Sequence, residues 1–158
     1  MSPRAAWRLE SLGFRDVYDY AAGKADWFAR GSPIEGGRAE VPRVGSLARS
    51  NVPTCRLDEA VSGVAERVRA AGWDTCIVVN DEGVVLGRLF ASELASDSST
   101  AVEDAMRSGP STFRPNVVVE EMTRFMDERD ISTALVTTSE GRLVGLFRRS
   151  DAEETSRP

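Results

Sequence analysis

Apolar and polar positions along this chain follow a unit that occurs twice. From Thr75 to Glu93 the sequence runs TCIVVNDEGVVLGRLFASE, and 58 positions later, from Thr133 to Asp151, it runs TALVTTSEGRLVGLFRRSD. Each copy reads as an apolar strand, a Glu-Gly turn, a second apolar strand carrying a glycine, and a polar lead into a helix that bears a carboxylate. The same offset pairs Val44 with Val102, Arg49 with Arg107, Thr54 with Thr112, Arg56 with Arg114 and Val61 with Val119. Twelve of the 51 positions between Val44–Leu94 and Val102–Ala152 are identical, against about three expected from composition alone, which marks a tandem duplication.

A helix precedes each strand pair. Leu57 to Ala71 places Leu57, Ala60, Val61, Val64, Val68 and Ala71 on one face and is closed by Gly72, while its counterpart, about Asn116 to Arg129, presents Val118, Met122, Phe125 and Met126. Asp58 and Asn116 are positioned to accept first-turn backbone donors. Val44–Arg49 and Val102–Arg107 predict one or two helical turns leading into each repeat, and Thr54–Arg56 and Thr112–Arg114 predict short strands. A unit of about 50 residues cannot cover its own sheet face, so the two copies are expected to pack against each other as one pseudo-symmetric domain. Function is expected in the cleft between them.

The first 36 residues break the pattern. Pro3–Leu12, with Ser2 as cap, predicts a helix; Phe14–Tyr20, rich in strand formers, predicts a strand; Gly23–Arg30, closed by Gly31 and Pro33, predicts a second helix. The expected organisation is a helix-strand-helix arm at 1–36, a linker at 37–43, the first repeat at 44–95, a polar connection ASDSST at Ala95–Thr100, and the second repeat at 101–154. The fold class is α+β: two β-α-β-β-α repeats with an N-terminal arm.

Composition narrows the function. With 158 residues, 41% hydrophobic and 28% charged, the chain is ordinary globular material. It lacks the run of about 20 apolar residues needed to span a bilayer, and MSPRAAWRLE has no apolar signal core. A cytoplasmic protein without a membrane partner is expected. The net charge of −5 disfavours nucleic acid, although Arg88, Arg148 and Arg149 beside the expected cleft suit a small anion. Cys55 and Cys76 face the apolar counterparts Phe113 and Ala134, which predicts buried thiols. Without any histidine or CxxC motif, a zinc site is not expected and histidine-based catalysis is excluded. No metal and no catalytic residue are expected.

The duplicated order of lead-in turn, short strand, helix, Gly-turned strand pair and terminal helix, over about Val44 to Glu154, resembles a tandem pair of CBS domains, a Bateman module. In that family the second strand ends as Gly, two apolar residues, Thr or Ser, two variable residues, then Asp. Here Gly145-Leu146-Phe147-Arg148-Arg149-Ser150-Asp151 keeps the glycine and aspartate with Arg148 at the hydroxyl position, and Gly87-Arg88-Leu89-Phe90-Ala91-Ser92-Glu93 has Phe90 there and Glu93 for the aspartate.

The resemblance implies a regulatory module that binds an adenosine-type ligand, AMP, ADP, ATP or adenosylmethionine, and forms a homodimer. The carboxylate would hold ribose hydroxyls and Arg148 would take over the phosphate contact. Asp151 and Arg148 would act with Thr54, Arg56, Thr75 and Cys76 of the other repeat, and Glu93, Thr112, Arg114 and Thr133 would form a weaker pseudo-symmetric site. Plainer roles remain open: Asp151 as a helix N-cap, Arg148 as a solvated or dimer-facing charge, and the module as a ligand-free dimerisation scaffold.

The arm resembles the C-terminal end of a rhodanese-like domain through Leu12-Gly13-Phe14, Val17, Tyr20, Gly23, Trp27, Gly31 and Pro33. The sequence begins where the family's nucleophilic cysteine loop would end, so the resemblance implies a remnant or docking arm and no sulfur transfer.

Overall fold

The computed structural model describes residues 3–37, 40–96 and 99–155; Ser2, assigned above as a helix cap, and Asp97-Ser98 of the connection lie outside them. Helices α1 (Pro3–Ser11) and α2 (Gly23–Ala29) form the arm. The first repeat then supplies α3 (Val44–Leu47), β1 (Thr54–Cys55), α4 (Val61–Ala70), β2 (Cys76–Val79), β3 (Val85–Leu89) and α5 (Ala91–Leu94). The second supplies α6 (Val102–Ala105), β4 (Arg107–Ser108), β5 (Thr112–Phe113), α7 (Val119–Glu128), β6 (Thr133–Thr137), β7 (Leu143–Arg148) and α8 (Arg149–Thr155).

The 58-residue offset is visible in strand register. Val78 pairs with Gly87 in the first sheet and Val136 with Gly145 in the second, each just before a register shift at Val79 and Thr137. The tight turns match as well, with Gly83 at φ 79° and Gly141 at φ 83°, backbone that glycine adopts without a Cβ penalty. In each sheet the short strand is parallel to the first long strand, β1 to β2 and β5 to β6.

The lead-ins are exchanged between the repeats. Helix α3 of the first repeat docks on the second: Val44 N–H donates to Val117 O, Gly45 N–H to Pro115 O, and Arg49 and Leu146 exchange both backbone hydrogen bonds. Helix α6 of the second repeat does the same to the first, with Val102 N–H on Glu59 O, Glu103 N–H on Leu57 O, and β4 added to the first sheet beside β3. The hairpin turns cross-link reciprocally too, Val85 N–H to Gly141 O at 3.0 Å and Leu143 N–H to Gly83 O at 2.9 Å.

Three apolar clusters follow from this exchange. One is built on the first repeat plus Val102, one on the second plus Val44, and the third, Val52, Ile77, Val79, Leu135 and Leu146, joins the two sheets. The long helices bury Val61, Val64, Ala65 and Val68, or Val119, Met122 and Met126, against their own sheets, so their apolar stripes are covered within the chain.

Two expectations are corrected. The long helices begin at Val61 and Val119, three or four residues later than their apolar spacing predicts, and Asp58 and Asn116 do not cap them; the N-cap positions are Ala60 and Val118, without side-chain caps. The cause is the exchange: segments 57–60 and 115–118 are held as turns outside the helix because their carbonyls accept from the opposite lead-in.

Residues 14–20 form no strand. A strand needs a ladder partner, and both sheets are completed without this segment. Tyr20 instead donates its hydroxyl hydrogen bond to Asp26, which also pairs with Arg30 at 2.8 Å, while Trp7, Leu12, Phe14 and Tyr18 are more than half exposed.

Candidate functional site

Gly87 and Gly145 let the opposite lead-in lie directly on the second strand of each hairpin; a Cβ at Gly145 would sit 2.7 Å from the Arg49 carbonyl oxygen. This close approach brings the arginine of each lead-in to the carboxylate that follows the strand. Arg49 holds Asp151 through both carboxylate oxygens, at 2.8 and 2.6 Å. Its counterpart Arg107 holds Glu93 at 2.9 and 3.2 Å. Burial raises the Glu93 pKa, but hydrogen bonds from Phe90 N–H, Arg107 and Ser92 outweigh it and hold the carboxyl below its ordinary value. Asp151 lies in the first turn of α8 and is engaged by Arg49.

Between the two ion pairs, Arg88 crosses the pseudo-two-fold axis. Its Nε donates to Thr75 Oγ1 at 2.8 Å and its Nη1 to Thr133 Oγ1 at 3.0 Å; these threonines are counterparts in the duplication. Thr75 in turn donates to Leu89 O at 2.8 Å. The Arg88 guanidinium stacks 4.3 Å above the Phe90 ring, which Arg107 approaches at 4.7 Å. Arg148, directly opposite Thr133 in strand register, stacks 4.3 Å above Trp73.

A cavity of about 580 Å³ opens on the Glu93 side, walled by Arg88, Phe90, Arg107, Phe113, Phe125 and Arg129 and floored by Ser132 and Thr133. That volume is in the range that admits a nucleotide-sized ligand. On the Asp151 side, Trp73 stands where Ile131 lines this cavity, and Arg148 lies on it. A smaller hollow of about 330 Å³, between Asp74, Arg148, Arg149 and Ser150, shares the Ser132–Thr133 wall. A hollow of about 650 Å³ between α2 and α3 contains none of the predicted site residues.

The structure thus gathers Thr75, Thr133 and Arg148 around Arg88, and sets Asp151 and Glu93 on either side with an arginine each. It does not bring the remaining predicted residues there. Arg56 and Arg114 reach toward the hairpin turns, donating to Val79 O and to Thr137 and Thr138, at the far end of the strands. Thr54 and Thr112 are exposed on the short strands. The Cys76 side chain points into the first apolar cluster beside Cys55, so its thiol is withheld from the cleft; the hydrogen bond it donates to Cys55 and burial push it well above its ordinary pKa.

The residues missed as site members are Arg49, Arg107 and Trp73, while Arg88, expected only as a charge beside the cleft, proves to bridge its two halves. The signals of the missed residues were an arginine repeated at the same offset as the carboxylates and a Trp where the other repeat has Ile131. Among the described residues, no cluster of His, Cys, Asp or Glu could hold a metal ion, and no helix is long and apolar enough to cross a membrane.

The mixed α+β fold of two small sheets and helices matches that of structural neighbours that are CBS-domain pairs. A CBS domain is found at residues 102–154. Among solved structures, the cytosolic domain of the Mg²⁺ channel MgtE in complex with ATP matches with a TM-score of 0.66 and 26% identity, over 73% of this chain and 49% of that one. CBSX2 in complex with AMP matches with a TM-score of 0.64 and 18% identity, over 73% of this chain and 96% of that one. Arabinose 5-phosphate isomerase KpsF of Escherichia coli O6:H1 is 26% identical over 122 residues, 73% of this chain. The chain spans 37% of that relative's length.

Proposed function

We propose that the chain is a non-catalytic regulatory or sensor module of the CBS-pair type, acting in the cytosol, that takes an adenosine-type ligand between its repeats. The observation that carries this reading is the 580 Å³ cavity at the repeat junction. Its aromatic walls suit a purine face, its arginines suit phosphate, and Glu93 beside it can accept from ribose hydroxyls once Arg107 moves aside. The ATP and AMP complexes of the MgtE domain and CBSX2 support the ligand class. AMP, ADP, ATP and adenosylmethionine are the candidates, and calorimetric titration of each is the test. Saturable binding at micromolar to low millimolar ligand is expected; heats no larger than dilution for all four at millimolar concentration would refute it.

The module is also proposed to self-associate as a homodimer. The apolar surface for this is the arm, where Trp7, Leu12, Phe14 and Tyr18 are exposed, and sedimentation of the full chain against a Trp7→Ser/Phe14→Ser variant tests it: a dimer that the variant dissociates is expected. A second reading, a scaffold without ligand, is favoured on the Asp151 side by the bidentate Arg49 contact and by Trp73 under Arg148.

A further inference from the structure

Two guanidinium groups lie beside the cleft without an anionic partner. Arg88 is 8% exposed, and its partners are two neutral hydroxyls and an aromatic ring. Arg148 stacks on Trp73, and its Nε is buried without a hydrogen-bond partner. No carboxylate among the described residues lies within ion-pair distance of either. A buried guanidinium stays charged, and burying it unpaired is costly. Burial, reinforced by the nearby Arg148 charge and opposed by Asp74, lowers the Arg88 pKa. The carboxylates on either side do not relieve this, because Asp151 and Glu93 are engaged by Arg49 and Arg107.

The two arginines flank one residue. Arg88 donates to the Thr133 hydroxyl from the Glu93 side, and Arg148 is the register partner of Thr133 on β7. The two hollows share Ser132 and Thr133 as their common wall. A chain of phosphoryl groups leaving the larger cavity over this wall meets Arg88 first and Arg148 next, and the Thr133 hydroxyl, already accepting from Arg88, keeps its own proton to donate.

We infer that Arg88 and Arg148 form a single anion site on the pseudo-two-fold axis that selects a ligand carrying two or more linked phosphoryl groups, with Arg88 as the specificity-determining residue. The nucleoside half of such a ligand rests on the reading proposed above; the anion site does not. A di- or triphosphate supplies the charge both arginines lack. A monophosphate reaches one of them, and adenosylmethionine, whose sulfonium is cationic, is disfavoured by both. Because Arg88 spans Thr75 and Thr133, one site serves both clefts, and the chain holds one such ligand at a time.

The test is calorimetric titration of the full chain with inorganic tripolyphosphate, ATP, AMP and adenosylmethionine, repeated on Arg88→Gln, Arg88→Lys and Arg148→Gln. Tripolyphosphate is expected to bind, more weakly as salt is raised, and ATP to bind about tenfold or more tightly than AMP. Arg88→Gln should lower tripolyphosphate and ATP affinity about tenfold and bring the ATP to AMP ratio near one, with Arg88→Lys intermediate. Arg148→Gln, which removes no side-chain hydrogen bond among the described residues, guards against misfolding as the cause and should narrow the same ratio. Equal affinity for ATP, AMP and adenosylmethionine, or affinities unchanged in both Gln variants, would overturn the anion site while leaving the adenosine reading intact. Arg88-dependent binding of tripolyphosphate with ATP no tighter would support the anion site and overturn the adenosine reading. No binding by any probe would overturn both.

Discussion

Replacing Gly145 by alanine puts a methyl carbon 2.7 Å from the carbonyl oxygen of Arg49, 2.9 Å from its carbon and 3.1 Å from the carbonyl carbon of Ala48. All three are backbone atoms of the exchanged lead-in, so no side-chain rotation relieves the contact. Strand β7 and the lead-in must separate by roughly 0.5 Å or more, which weakens the two hydrogen bonds that Arg49 and Leu146 exchange at 3.0 and 3.1 Å.

Two such bonds contribute about 1 kcal/mol each, overpacking adds about 1–3 kcal/mol, and the entropic benefit of replacing glycine returns about 0.5–1 kcal/mol. The net expectation is a loss of about 3 kcal/mol, or about 6–12 °C in Tm for a chain of this size. Gly87→Ala provides the control at the counterpart position. There the nearest atom is the Met106 sulfur at 2.3 Å, the mobile part of an adaptable side chain, and a loss of about 1 kcal/mol is expected. Urea unfolding followed by circular dichroism measures both. A Gly145→Ala variant within 1 kcal/mol of the parent, or a Gly87→Ala variant as damaged as Gly145→Ala, would refute the exchanged packing.

Further outcomes follow from the same geometry. Because Glu93 is held below its ordinary pKa, its contribution to stability is present above the unfolded-state value of about 4.3 and is lost as pH falls through the lower folded value; Glu93→Gln should destabilise the chain at neutral pH, and the difference should vanish in acid unfolding curves below that range. Cys55 and Cys76 are both buried, so a maleimide should label neither thiol in native buffer and both in denaturant. Trp73→Ile, which copies the residue of the opposite cavity, should free Arg148 from its ring, read as tighter tripolyphosphate binding with the stoichiometry still one per chain.

The duplication carried most of the fold into the sequence. Strand pairs, turn glycines and the apolar faces of the long helices depend on local periodicity, and Gly83, Gly141, Val64 and Met122 lie where that periodicity places them. The helix starts at Val61 and Val119 and the missing strand at 14–20 were not legible, because each depends on what lies opposite. A turn forms at 57–60 because Val102 and Glu103 dock there, and no strand forms at 14–20 because that segment joins neither sheet.

The site shows the same division. Asp151, Glu93, Thr75, Thr133 and Arg148 stand out by motif and offset and Arg88 by its charge beside the cleft, whereas the bridge Arg88 makes, Arg49 and Arg107 on the carboxylates and Trp73 in one cavity require tertiary contact to be seen. Arg56 and Arg114 illustrate the converse: the repeat singles them out, and strand direction carries them to the wrong end of the sheet.

The most direct measurement of the central claim, that the cleft at the junction of the repeats receives the ligand, is the change in backbone amide resonances on adding ATP to ¹⁵N-labelled protein. The account predicts shifts concentrated at Arg88, Phe90, Arg107, Ser132 and Thr133, with the hairpin turns around Gly83 and Gly141 undisturbed. Shifts confined to the turns or to the arm, or none at saturating ATP, would contradict it.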